Sequence, residues 1–181
     1  MEVFFIAIIF FILICLLIIF LISTYNQFQE LIVRINEAEA NIDSVLRKRF
    51  DLLNKSINII KTNIDYEGDV LDLIVKLRSR KISNFDLDRQ IYEAINEFNY
   101  FKDHYQPLKE NEALIKIDKG LEESEIEIIA LRRYYNDTIT LYNKMVKKLP
   151  SSMVAKMCKY KEKNYYDGKD LNDDIIKDFK L

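Results

Sequence analysis

Residues 108–149 read LKENEALIKIDKGLEESEIEIIALRRYYNDTITLYNKMVKKL and decide the fold class. Apolar or aromatic side chains recur at seven-residue intervals along this stretch, at Leu114, Leu121, Ile128, Tyr135, Tyr142 and Leu149. Further apolar residues fill the positions between them, namely Ile117, Leu131, Ile139, Met145 and Val146. A heptad pattern of this length predicts one long helix whose apolar seam packs against other helices, and Pro150 marks its end.

The chain as a whole contains few residues that form turns. It has three glycines and two prolines among 181 residues. Turn-rich β-sandwiches, glycine-rich phosphate loops and dinucleotide-binding folds all need more glycine than this, so we expect an all-α fold. The 27 basic and 29 acidic side chains nearly cancel, which argues against a nucleic-acid partner.

A second stretch, from Val3 to Ile22, reads VFFIAIIFFILICLLIIFLI and is apolar throughout. As an α-helix, twenty residues cover about 30 Å, the thickness of the hydrocarbon core of a bilayer. A signal peptide would carry basic residues before a shorter apolar run and a small-residue cleavage site after it. Met1-Glu2 contains no Lys or Arg, and no Ala-x-Ala follows, so residues 1–22 are predicted to form a single retained transmembrane anchor.

The apolar spacing between the anchor and the last helix predicts three more helices. The expected ranges are 25–66, 69–81 and 83–105. Since Ser23-Thr24 is too short for a linker, the first of them is expected to continue directly from the anchor. We therefore predict an antiparallel four-helix bundle over residues 23–149, with two long and two shorter helices, followed by a partly ordered polar tail over 150–181.

Several polar residues fall on or beside the predicted apolar faces, and we expect them to form a buried network. The residues are Arg49, Asp51, Glu67, Glu125, Arg132 and Asn136. Arg49 is in heptad register with Ile35 and Ile42, so it faces inward and needs a carboxylate partner, for which Glu125 and Glu67 are the candidates. The favoured interpretation is an ion-pair network that fixes the register of the helices. The alternative is a ligand-binding or catalytic pocket.

No recognisable catalytic or metal-binding constellation occurs in the sequence. His104 is the only histidine and lies at a predicted helix end, so no His-x-x-x-His or Glu-x-x-His pair exists. Cys15 lies in the apolar run and Cys158 stands alone in the remaining chain, which excludes an intramolecular disulfide there. We therefore expect no catalytic residues, no cofactor and no metal ion.

The polar tail contains an aromatic pair, Tyr165-Tyr166, close to Lys161 and Lys163. A disordered tail is the favoured interpretation of this composition. Contact of these side chains with lipid headgroups or with a partner protein is the alternative.

Short segments along nearly the whole chain form a further pattern, namely Tyr25-Asn26, Ile42-Asp43, 46–53, Tyr66-Glu67, 105–111, 121–125, 130–136, 141–143, 149–151 and Tyr165-Tyr166. In these segments the sequence resembles the LemA family. The most specific feature is the spacing of Glu125, Arg132, Tyr135-Asn136 and Tyr142-Asn143. The sequence departs from the family pattern at Asn54, where a proline is usual, and at Gln106, an extra residue before Pro107. The resemblance implies a membrane-anchored four-helix bundle and does not imply a particular reaction.

Two functions are compatible with the sequence. The leading hypothesis is a non-enzymatic, membrane-anchored scaffold that binds another membrane or envelope protein, because an anchor is present and no catalytic or cofactor motif is recognisable. The alternative is a small-ligand sensor or an enzyme that uses the polar network. An open polar cavity beside those residues would reverse this ranking, whereas a cluster that is ion-paired and dry would count against the alternative. The oligomeric state stays open.

Positive charges near the ends of the apolar run indicate the topology. No Lys or Arg precedes the run, whereas Arg34 and then Arg47-Lys48-Arg49 follow it. The positive-inside rule therefore favours a bundle on the cytoplasmic side of the membrane.

Overall fold

The structure, a computed structural model, describes residues 1–63 and 84–166. All regular secondary structure in this part of the chain is helical, which confirms the predicted all-α fold class. The helices are α1 (Glu2–Asn63), α2 (Asn84–His104), α3 (Gln106–Lys109), α4 (Glu112–Lys147) and α5 (Ser151–Met157). The helix predicted over 69–81 lies outside the described residues, so the number of helices in the bundle stays a prediction.

Helix α1 runs without interruption from the apolar run into the charged part of the chain, as the short Ser23-Thr24 connection predicts. No glycine or proline occurs between Glu2 and Asn63 that could break it. Most residues of the range 1–22 are exposed, and burial begins at Thr24. By its length and composition, α1 contains a stretch that could cross a membrane.

The fold divides into two compact units, each of which contains part of α1 and part of α4. The first unit consists of Met1–Glu37 and Tyr134–Tyr165, and the second of Ala38–Arg133 and Tyr166–Leu181.

In the first unit, Phe28 of α1 is the centre of an aromatic cluster. Its ring centroid lies 5.8 Å from that of Tyr142 on α4 and 5.0 Å from that of Tyr160. The Nδ2 and Oδ1 atoms of Asn143 form hydrogen bonds of 2.8 and 2.9 Å with the backbone carbonyl and N–H of Lys163. These contacts hold the chain beyond α5 in place, so the segment 151–165 is an ordered part of the first unit.

In the second unit, α1 and α4 are antiparallel. Arg49 meets Glu125 and Leu52 meets Gly120, so residue numbers rise along one helix as they fall along the other. By the same criterion α2 is antiparallel to α4, since contacts join Asp88 to Arg132 and Lys102 to Asp118. Buried apolar side chains fill this unit, among them Leu46, Leu53, Ile91, Phe98, Leu121 and Ile128. The antiparallel packing predicted for the bundle is thus observed between α1 and α4 and between α2 and α4.

The heptad residues of α4 are buried as predicted, with one exception. The buried set is Leu114, Leu121, Ile128, Tyr135 and Tyr142. Leu149 is 78% exposed, so its assignment to the apolar seam is wrong. The physical reason is that α4 ends at Lys147 and no longer holds Leu149 on the buried face.

The start of α4 also differs from the prediction, which placed one helix over 108–149. The chain first forms the short helix α3, with Pro107 in its first turn, and α4 begins only at Glu112. Asn111 Oδ1 accepts hydrogen bonds from the backbone N–H groups of Ala113 (3.0 Å) and Leu114 (3.2 Å). Asn111 therefore caps α4, because its side chain satisfies N–H groups that have no partner within the helix.

Gly120, which the helical pattern alone does not explain, lies against Leu52 of α1. A Cβ atom at position 120 would stand 3.2 Å from Leu52 Cδ1, which is closer than ordinary van der Waals contact. Close packing of α1 on α4 thus offsets the lower helix propensity of glycine, which is about 1 kcal/mol relative to alanine.

Candidate functional site

A buried arginine and a buried carboxylate form the centre of the second unit. Arg49 of α1 is 1% exposed and Asp88 of α2 is 4% exposed. Arg49 Nη1 lies 3.7 Å from Asp88 Oδ1, and Arg49 Nη2 donates a short hydrogen bond to Glu125 Oε2 of α4. Asp88 Oδ2 accepts a second short hydrogen bond from Arg132 Nη2, also on α4. One carboxylate therefore lies between two guanidinium groups that come from different helices.

The helical patterns explain how these side chains meet. Arg49 continues the heptad row of Ile35 and Ile42, so its side chain points inward from α1. On α4, Glu125 and Arg132 are seven residues apart and share one face. Asp88 lies three residues before the buried Ile91 and therefore occupies the buried face of α2.

Tyr166 completes the group from the far end of the described chain. Its hydroxyl oxygen lies 3.1 Å from Asp88 Oδ2 and 3.2 Å from the carbonyl oxygen of Asn84. The ring centroid lies 5.8 Å from Arg132 Cζ, in cation–π range. The expectation of a disordered aromatic tail is therefore wrong at Tyr166. We call Arg49, Asp88, Glu125, Arg132 and Tyr166 the buried cluster.

The charges of the buried cluster balance, since two guanidinium groups face two carboxylates. Such balance is needed because an unpaired buried charge is destabilising by several kcal/mol, on the order of 3–5 kcal/mol when one partner is removed. Hydrogen bonding is less complete: within the described residues, Arg49 Nε and Nη1, Arg132 Nε and Asp88 Oδ1 have no hydrogen-bond partner. The pKa of Tyr166 is raised, first by burial and then by the charge of Asp88, so the hydroxyl keeps its proton and can donate it in a hydrogen bond.

The structure brings together three of the six residues of the predicted polar network. Arg49 and Glu125 pair as expected from the sequence, and Arg132 joins them through Asp88. Asp51 is exposed and does not join, because a step of two residues on a helix turns the side chain by about 200°. Glu67 lies outside the described residues.

Asn136, the remaining predicted network residue, belongs to the first unit. It is half-buried, and its backbone carbonyl accepts a hydrogen bond of 2.9 Å from Thr140 Oγ1. Sequence reasoning missed Asp88 and Tyr166. The signal for Asp88 is its place three residues before Ile91, in the row that continues through Ala94, Phe98 and Phe101. The sequence carries no comparable signal for Tyr166.

A polar cleft of about 440 Å³ lies beside the buried cluster in the second unit. Its wall includes Arg49 and Glu125, together with Lys102 and Asp118, which form an ion pair of 2.6 Å. The other polar wall residues are Tyr92, Asn96, Asn99, Asp103 and Glu122. The wall is acidic overall, because four carboxylates outnumber two cations. Among residues 1–63 and 84–166, no three His, Cys, Asp or Glu side chains converge so as to hold a metal ion.

A family model described as the LemA family matches residues 38–177, which is most of the chain. The chain belongs to the LemA family. This finding confirms the resemblance, and the matched span contains every member of the buried cluster. The apolar run over 3–22 precedes the span. No curated protein matches the chain.

The contribution of Tyr166 can be measured with a single-atom change. Tyr166→Phe removes the hydroxyl that contacts Asp88 and keeps the ring, so we expect the free energy of unfolding in detergent to fall by about 1–2 kcal/mol. Tyr165→Phe is the matched control, since Tyr165 is 53% exposed and its hydroxyl accepts a long 3.3 Å bond from Thr140. An equal decrease in the free energy of unfolding for the two variants would contradict the contact between the Tyr166 hydroxyl and Asp88.

The same hydroxyl predicts a pH dependence. Because the pKa of Tyr166 is raised in the folded protein, the unfolded phenol loses its proton first, at its ordinary pKa of about 10. Its stabilising contribution is therefore complete below about pH 10 and decreases as the pH rises above that value. We expect the wild type to lose stability in this range more steeply than Tyr166→Phe, and identical profiles would contradict the assignment.

Proposed function

We propose that this LemA-family protein is a non-enzymatic, membrane-anchored helical module that binds another protein at the cell envelope. The observation that carries the proposal is the continuity of α1, a single helix from Glu2 to Asn63. An exposed apolar run at one end of this helix passes without a linker into a part that packs against other helices. A partner bound to the module is thereby kept at the membrane surface.

The ion pairs of the buried cluster support a structural role for its charges. Arg49 and Arg132 are each bound to a carboxylate, and Arg49 is 1% exposed. Groups paired in this way hold α1, α2 and α4 in register and are not available to a substrate without loss of those pairs.

An exposed apolar surface on α4 supports a protein partner. Ile115, Ile126 and Ile129 are 52%, 73% and 54% exposed. Ile126 and Ile129 are one turn apart and adjacent on one face of the helix, whereas Ile115 lies on the same face about 16 Å away, beyond the exposed Lys119 and Glu122. The Ile126–Ile129 pair is therefore the candidate contact for a protein partner.

The polar cleft favours a second candidate function, the binding of a small ligand. The cleft is the cavity that this hypothesis requires, and its wall includes two residues of the predicted network, Arg49 and Glu125. The acidic excess of the wall suits a ligand that carries a positive charge. The open cleft meets the condition that would rank this candidate first, but the cluster beside it is ion-paired. We place the candidate second because the two cations of the wall already pair with two of its carboxylates.

Crosslinking in native membranes tests the main proposal. A photoreactive amino acid at Ile126 of the full chain is expected to yield a discrete adduct with another protein in cells. Glu127 is the matched control, since its side chain lies 3.5 Å from Lys48 and about 100° around the helix from Ile126. The absence of a discrete adduct from Ile115, Ile126 and Ile129 alike would contradict the proposed interaction.

The positive charges that follow the apolar run support a cytoplasmic position for the helical module. These charges are Arg34 and Arg47-Lys48-Arg49, and the positive-inside rule places such residues on the cytoplasmic side. Cys158 is exposed and can report on this topology. We expect a membrane-impermeant thiol reagent to label Cys158 only after the cells are opened. Labelling in intact cells would contradict the cytoplasmic assignment.

A further inference from the structure

The end of α4, helix α5 and the segment after it are strongly basic. Residues 144–163 contain seven lysines and one carboxylate, that of Glu162. The lysines are Lys144, Lys147, Lys148, Lys156, Lys159, Lys161 and Lys163. Lys147 pairs with Glu162 at 2.8 Å, so six lysines have no carboxylate of this segment to neutralise them.

The same segment exposes large apolar side chains. Leu149, Met153 and Met157 are 78%, 60% and 70% exposed. Met153 and Met157 are four residues apart on α5 and therefore share one face of it. Their neighbours Val154 and Ala155 are buried, which shows that the opposite face of α5 packs on the first unit. We call these three apolar residues and the seven lysines the basic–apolar patch.

The fold brings this distant part of the chain to the predicted membrane surface. Gln29 Nε2 donates a hydrogen bond of 2.6 Å to the Tyr160 hydroxyl, and the Phe28 ring lies on the Tyr160 ring. Gln29 is only seven residues beyond Ile22, which is about 10 Å along a helix. The headgroup region of a bilayer extends roughly 5–8 Å beyond the hydrocarbon on each side. Residues around Tyr160 thus lie within a few Å of the outer edge of the lipid headgroups when α1 spans the membrane, a gap that an extended lysine side chain can bridge.

We infer that the basic–apolar patch docks on anionic lipid headgroups of the same bilayer that α1 spans. Lysine side chains attract anionic lipid, and exposed leucine and methionine side chains enter the boundary between headgroups and acyl chains. The inference rests on the membrane anchor of the proposed function. An acidic protein would also attract the lysines, but the anchor holds the bilayer beside the patch at all times, at a high effective concentration.

Lys159, one of the seven lysines of the patch, occupies a backbone conformation that favours glycine. Lys159 has φ 57°, in the left-handed region. Its N–H donates to the Lys156 carbonyl (3.2 Å), and the Tyr160 N–H donates to the Ala155 carbonyl (2.8 Å), the hydrogen-bond pattern of a helix end that usually has glycine at this position. The chain has a lysine there instead.

Lipid quenching in nanodiscs tests the inference on the full chain. Cys158 lies between Met157 and Lys159 of the patch and is exposed, so a fluorophore attached to it in a Cys15→Ser background reports on nearby lipid. The probe is a bilayer that contains a nitroxide-headgroup lipid, with or without about 30% phosphatidylglycerol. We expect quenching in the anionic discs to be roughly threefold stronger than in neutral discs, and to decrease towards the neutral value at about 0.5 M salt, where charge interactions are screened.

Two sets of variants assign the effect to the patch. The variant Lys156→Glu, Lys159→Glu and Lys161→Glu is expected to lose the difference between anionic and neutral discs. The matched control, Lys116→Glu and Lys119→Glu, changes exposed lysines of the second unit and is expected to keep the difference. Met153→Ser with Met157→Ser is expected to weaken quenching in both kinds of disc.

Equal quenching in anionic and neutral discs, or an unchanged response of the triple lysine variant, would overturn the inference. Salt-sensitive capture of an acidic protein without any lipid quenching would overturn it as well. Alkaline extraction of the same samples tells whether a lack of quenching reflects the absence of lipid docking or a chain that is not inserted in the bilayer. A chain that stays in the bilayer while the probe is unquenched refutes lipid docking alone, and a chain that is extracted refutes the anchor itself.

Discussion

The second unit depends on a single buried carboxylate, that of Asp88, which lies between the guanidinium groups of Arg49 and Arg132. Each of these three residues comes from a different helix. A shift of any helix along its axis would separate a buried cation from its counter-ion, and such separation is destabilising by several kcal/mol. The buried apolar side chains of the seam could pack in more than one register, and we expect the ion pairs to favour the observed one of α1, α2 and α4.

Much of the fold follows from local patterns. The heptad residues of α4, the continuity of α1 and the all-helical class can each be predicted from spacing and from the scarcity of glycine and proline. The pairing of Arg49 with Glu125 is predictable because a buried arginine needs a carboxylate. Local patterns overestimate the length of α4. The apolar spacing continues over residues 108–149, but the helix begins after the Asn111 cap and ends at Lys147.

Other features depend on contacts between residues far apart in sequence. Asp88 and Arg132 are 44 positions apart, and Tyr166 is 78 positions beyond Asp88, so no local window contains both partners. In the sequence, the first cation after the apolar run is Arg34. In the folded first unit, Tyr160 contacts Phe28 and Gln29, so the lysine-rich segment around Tyr160 lies closer to the apolar run than Arg34 does along α1. The charge near the predicted membrane surface is thus a property of the fold as well as of the neighbouring sequence.

A double-mutant cycle between Asp88 and Arg132 tests the central role of the buried carboxylate most directly. The free energies of unfolding of Asp88→Asn, Arg132→Met and the double variant give the coupling energy between the two side chains. The exposed pair Arg89 and Glu93, 3.9 Å apart on α2, is the reference and should show a coupling below about 0.5 kcal/mol. We expect a coupling of about 2 kcal/mol or more for Asp88 and Arg132. Additive effects within about 0.5 kcal/mol would contradict it.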